Sequence, residues 1–188
     1  MVPLSSLLVP IVVGAVLVHL ASALIHMVIQ WHRHDYGRLP DEEALRAALR
    51  KSPPAPGQYM IPHHGSMKEM QSPEMKKKFE EGPVAMLTIR APGPITMGKE
   101  LGLWFLFCLL MATTGAYIAG RTLAPGADYL QVFRVAGTVA FAGFGMGSIQ
   151  QSIWMGRPWS STGRDLVDAL LYGCLIGGSL GWRWPHAM

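Results

Sequence analysis

Charge is missing from most of this 188-residue chain. Met1 to His32 carries no Asp, Glu, Lys or Arg, nor does Leu101 to Gly120, nor Val135 to Gly156. Leu166 to Trp182 carries one acid, Asp168. Cysteine is nearly absent: Cys108 and Cys174 both fall in these apolar stretches without a motif spacing, so no disulfide or CxxC redox site is expected and both read as small hydrophobes. There is no GxSxG, HExxH, Walker loop or dinucleotide fingerprint, which points away from an enzyme.

What is present is four apolar stretches around one polar segment. About 20 residues at ~1.5 Å each cross a hydrocarbon core. The expected fold is all-α: a single membrane domain over 1–188 with four transmembrane helices, about 7–31, 100–119, 129–155 and 163–182. One long cytoplasmic connector, 32–99, contains short amphipathic helices. No Lys or Arg precedes the first run, as the basic lead of a signal peptide would, and the run extends to Trp31, so it reads as a retained span. Trp31, His32, Arg33, His34 and Tyr36 form an interfacial collar at its end.

Eleven of the sixteen Lys and Arg residues lie between Arg33 and Lys99. Placing that connector in the cytoplasm also puts Arg157 and Arg164 there and leaves both termini periplasmic. Nine of the twelve acids lie between Asp35 and Glu100, so the connector is nearly balanced. Without interleaved aromatics it is no nucleic-acid surface. Within it, Asp41 caps a short helix to Arg50, Ser52 to Gly57 is a stiff linker, and Ser72-Pro73 opens a helix that Gly82 ends. Val84 to Ile89 alternates weakly and reads as extended, and Ser161 or Thr162 is expected to cap the last span.

Three groups could carry chemistry. Met60, His63, His64, Met67 and Met70 are soft to borderline ligands that together suit copper. His19 and His26 share one face of the first span about 10.5 Å apart along its axis, too far for one ion. Spans two to four offer no second histidine, so haem is not expected. Gln150 and Gln151 near the end of the third span, with Arg164, Asp165 and Asp168 on the fourth, read as a polar clamp in which Arg164 and Asp168 are i,i+4 partners. Glycines repeat at GxxxG spacing, Gly143/Gly147 and Gly173/Gly177, the pattern of close helix packing in lipid.

The segment from Gly120 through Thr122, Pro125-Gly126, Asp128-Tyr129-Leu130 and Phe133-Arg134 to Gly137 resembles an uncharacterised family of small multi-spanning bacterial inner-membrane proteins. The resemblance implies a bacterial inner-membrane setting and carries over no activity. The expected role is a non-catalytic structural or accessory subunit, partnered by lipid and by itself or other membrane subunits. A copper-handling connector is the alternative. A small oligomeric transporter or channel around His19, His26 and Asp168 is the weaker one.

Overall fold

The computed structural model describes residues 1–186. The chain is mostly helical and divides into two compact units: Met1–Tyr36 together with the chain from Thr96 onward, and Gly37–Ile95.

The first unit is a helix bundle. A 3-10 turn at Leu4–Leu7 leads into α1 (Leu8–Ala23), which widens into a π-helical segment at Leu24–Ile29. Pro10 falls in the first turn of α1, where the amide it lacks has no helical partner to lose. Gln30 ends the run in the left-handed region (φ 55°), and its N–H donates to the Ile25 carbonyl at 2.8 Å. A second 3-10 turn, Trp31–His34, follows. Three long helices complete the unit: α5 (Gly98–Thr122), α6 (Tyr129–Met155) and α7 (Trp159–Trp182). Asp128 and Gln131 form a capping box at the start of α6, and Gly156 closes it at φ 69°.

Leu4–Ile29, α5 and α6 are long and apolar enough to cross a membrane. The fourth expected span, α7, is as long at 24 residues, but Arg164, Asp165 and Asp168 in its first half reduce its apolar character. It starts at Trp159, just after Pro158, and has no side-chain cap. Ser161 and Thr162, expected as caps, are buried in its first turn. Thr162 Oγ1 instead pairs with Ser152 Oγ on α6 at 2.6 Å.

Small residues bring the backbones together. A Cβ on Gly177 would stand 2.7 Å from the Phe133 carbonyl oxygen, and one on Gly173 2.7 Å from that of Gly137. A Cβ on Gly14 would stand 2.6 Å from Ser179 Oγ. Side chains larger than hydrogen do not fit there. The buried centre is apolar: Leu7, Val18, Cys108, Val132, Ile176 and Leu180, with Ala112, Ala116, Ala136 and Ala140 between them.

The second unit, Gly37–Ile95, holds three short helices and a sheet. α2 (Glu42–Lys51) is capped by the Asp41 carboxylate, which accepts from Ala44 N–H at 2.9 Å. α4 (Pro73–Glu81) is capped by Ser72, with Pro73 at its start and Gly82 at its end. Both follow the expected capping. Between them lie β1 (Gly57–Ile61) and α3 (Met67–Met70). β1 pairs antiparallel with β2 (Ala85–Ile89), from Gly57↔Ile89 to Ile61↔Ala85. The all-α expectation therefore needs a two-stranded sheet added. β2 was visible as a weak alternation, whereas β1 adjoins the Pro-rich linker and has no alternation of its own to mark it.

The packing generates a contrast. Gly177→Val forces a branched side chain against backbone that cannot yield, at the upper end of the about 1–3 kcal/mol cost of overpacking. Gly147→Ala adds a Cβ that meets nothing within 4 Å and trades glycine for the best helix former. Thermal unfolding of the detergent-solubilised protein should show a clear drop in midpoint for the first variant and none for the second.

Candidate functional site

The sharp exit from the first helical run decides where its polar end goes. The π segment, the left-handed Gln30 and the turn Trp31–His34 fold the chain back, so that His32 and Asp35 meet the first three turns of α7. His32 then stands between two carboxylates. Its Nδ1 lies 2.7 Å from Asp35 Oδ2 and its Nε2 lies 2.9 Å from Asp168 Oδ2. A neutral imidazole has one N–H and can donate to only one of them; the imidazolium donates to both.

Two guanidinium groups complete the network. Arg164 donates to Asp35 Oδ1 through Nε at 2.8 Å and also through Nη2. Arg157, in the turn between α6 and α7, grips Asp165 with both terminal nitrogens and has Nη2 3.7 Å from Asp35 Oδ2. Asp35, Asp165 and Asp168 thus face Arg157, Arg164 and His32, which balances the third carboxylate when its ring is protonated. The Asp35 and Asp168 side chains are only 5% and 7% exposed, so this balance is what makes their burial tolerable.

The titration of the extramembrane members follows. Burial disfavours the His32 cation, but hydrogen bonds to Asp35 and Asp168 outweigh it and raise the pKa above the ordinary 6.5. Burial likewise works against the Asp35 anion, yet the bonds from His32 and Arg164 outweigh it and lower the carboxyl from 3.8 to about 2. The Asp165 carboxylate beside Arg157 raises that guanidinium further.

His26 adjoins the network. Its ring stacks on that of His32, centroids 4.8 Å apart and planes 2° from parallel, and its Nδ1 lies 3.0 Å from the Ser22 carbonyl oxygen. The ligand atoms of His26, His32 and Asp168 lie within 4.8 Å of one another, as do those of His32, Asp35 and Asp165. These are the groups of three His, Cys or carboxylate ligands that come within reach of one ion among the described residues. Asp168 Oδ1 is buried with no hydrogen-bond partner.

The other sequence candidates fall as follows. His19 packs edge-on against Phe105 at 5.6 Å, with Nδ1 buried and unpartnered. Gln150 and Gln151 are exposed. Gly173 and Gly177 sit against α6 backbone and Gly143 against Met111, while Gly147 faces open space. In the second unit, Met60 lies on β1 opposite Met86, and Met67 and Met70 are exposed on α3. His63 is exposed, and His64 stands 6.5 Å from the Phe79 ring.

One expected pairing is replaced. Asp168 takes His32 rather than Arg164, because Arg164 is engaged by Asp35. His32 appeared in the sequence only as part of an interfacial collar, and Asp35 only as one of the connector's acids. Two signals point to them: a His and an Asp three residues apart just past a span, and a lone acid in α7 in need of a cation. Comparison of the chain with protein-family models, with curated proteins and with solved structures finds no match.

Removing the carboxylate charge with Asp168→Asn leaves His32 facing an amide, and breaking a buried pair in this way costs about 3 kcal/mol. His32→Gln combined with Asp168→Asn should recover part of that loss in thermal melts. The pH dependence follows from the two shifts. His32 has a raised folded pKa, so its contribution is complete below 6.5 and is lost as pH rises through the raised value. Asp35 has a lowered one, so its contribution is complete above 3.8 and is lost as pH falls towards 2. With a chelator present, so that no metal competes for the imidazole, the melting midpoint should be highest between these limits. His32→Gln should remove the decline on the alkaline side.

Proposed function

We propose that the chain is a four-span scaffold of the bacterial inner membrane, a non-catalytic structural or accessory subunit with both termini periplasmic and the connector 32–99 cytoplasmic. The observation that carries this reading is the network itself: charged groups of α7 and its preceding turn are engaged by His32 and Asp35 and by one another. Polar chemistry is thereby used to hold one end of the bundle in a fixed geometry.

The fourth span follows from the same pairing. The charges of α7 lie in its first half, and from Val167 to Trp182 it is apolar apart from Asp168 and Ser179, both buried. Those 16 residues cover about 24 Å, close to a thin hydrocarbon core. Large apolar side chains face outward on the bundle, including Leu103, Leu106 and Leu110 on α5 and Leu170 and Leu171 on α7, as lipid contact requires. Arg157 and Arg164 share one end of the bundle with His32 and Asp35, so the basic turn and the start of the basic connector favour the same side. The closed apolar centre below the network supports a scaffold over a pore.

Topology reporters test the arrangement. A cytoplasm-active fluorescent fusion after Gly57 and a periplasm-active phosphatase fusion at the C-terminus should both be positive. A C-terminal phosphatase fusion that is inactive while a fluorescent one is active leaves three spans, or five, and contradicts it. For the assembly, native mass measurement in mild detergent should show a species heavier than one 20.5 kDa chain. A bare monomer at every detergent strength contradicts the subunit role.

A further inference from the structure

We propose that His26, His32 and Asp168 form a binding site for one divalent transition-metal ion, of the class of Zn²⁺ or Fe²⁺. The site stands independently of the scaffold reading. Two imidazoles and one carboxylate are a donor set that these borderline ions take, commonly with a coordination position left open for water. A soft copper(I) ion would favour the thioethers of the connector instead.

The geometry of the two inner ligands fits an ion. Donors about 2.1 Å from one ion stand about 3.0 Å apart at about 90° and about 3.4 Å apart at the tetrahedral angle, so a pair about 3 Å apart admits an ion with an opening of at most about 0.5 Å. His32 Nε2 and Asp168 Oδ2 are 2.9 Å apart. The far nitrogen of each imidazole is already engaged. His32 Nδ1 is held by Asp35, which is itself fixed by Arg164, and His26 Nδ1 is held by the Ser22 carbonyl. Each histidine therefore has Nδ1 engaged by an oxygen, which leaves Nε2 as the ligating nitrogen, the arrangement by which proteins fix the tautomer of metal-binding imidazoles. Asp168 Oδ1 adds the independent sign: a carboxylate oxygen, buried on a side chain 7% exposed, has no partner.

The alternative triad, His32, Asp35 and Asp165, uses the other side of the same ring. There Arg164 and Arg157 already neutralise both carboxylates, and a cation would stand beside two guanidinium groups. No guanidinium is paired with Asp168, so the Nε2 side is the one that takes the ion. Binding replaces the His32 Nε2 proton with the metal and releases that proton to solvent. The exposed His26 ring, now parallel to His32, completes the site by a rotation that brings its Nε2 lone pair onto the ion. A groove of about 350 Å³ lined by Ser22, His26, Met97, Glu100 and Trp104 opens beside His26.

The test uses the full-length chain in detergent or nanodiscs, stripped with a chelator and titrated with Zn²⁺ by calorimetry and with Co²⁺ by visible spectroscopy. One equivalent per chain is expected, with ligand-field bands from cobalt bound to nitrogen and oxygen. His26→Ala removes an exposed side chain, so the bundle stays folded while binding weakens by more than about 100-fold. Asp35→Asn, which loosens the support of His32, weakens it by roughly 10- to 100-fold. His63→Ala with His64→Ala leaves it unchanged. Absence of saturable binding in the unaltered chain overturns the proposal. So does binding that survives His26→Ala, or that disappears only when His63 and His64 are replaced.

Discussion

A carboxyl group set inside a helix that packs in an apolar bundle stays ionised only beside a positively charged partner, and Asp168 is such a group. Its own helix cannot satisfy it, because Arg164 is drawn to Asp35. The partner comes from 136 residues earlier in the chain. Everything at that end of the bundle follows from getting His32 there. The helix must widen at Leu24–Ile29, reverse at a left-handed Gln30 and tighten into a 3-10 turn. A non-glycine residue in the left-handed region costs on the order of 1 kcal/mol, and such strain persists where the surroundings over-determine it. Here the over-determining contacts are His32 between two acids and Asp35 between two arginines.

The network would have no fixed geometry without the close packing beneath it. α6 and α7 touch backbone to backbone at Gly137, Gly173 and Gly177, and α1 meets α7 at Gly14. In lipid, hydrophobicity does not draw helices together, so such contacts together with buried polar pairs set which helices are neighbours. The two devices are complementary. Small residues determine how near the helices come, and the ion pairs at one end determine their register. A bundle built this way suits a static membrane part, and it also leaves His26, His32 and Asp168 within reach of one ion.

Much of this was legible in the sequence. The bounds of α6 agree with the expected third span residue for residue, because Asp128 and Gly156 mark both ends chemically. The capped helices α2 and α4 were equally plain from Asp41, Ser72, Pro73 and Gly82. Other parts were not legible, for physical reasons. β1 adjoins a Pro-rich linker, and its pairing with β2 is a contact between distant residues that no local pattern announces. His32 was read by its position at a span end, where aromatics and histidines collect for solvation reasons alone. Its partner is remote in sequence, and only the π widening and the left-handed Gln30 bring the two together. The fourth apolar stretch was read as a helix over 163–182, and α7 begins four residues earlier, at Trp159, because its polar first turn carries no apolar pattern.

The central claim is that His32, carrying two ring protons, bridges Asp35 and Asp168 in the metal-free protein. Nitrogen NMR of selectively histidine-labelled protein, with a chelator present near neutral pH, observes it directly. Two protonated ring nitrogens on His32, each N–H slowed in exchange, with the signature of the Nε2 proton lost in Asp168→Asn, is the predicted result. A His32 ring that is a single neutral tautomer under those conditions, with the same spectrum in Asp168→Asn, would contradict it.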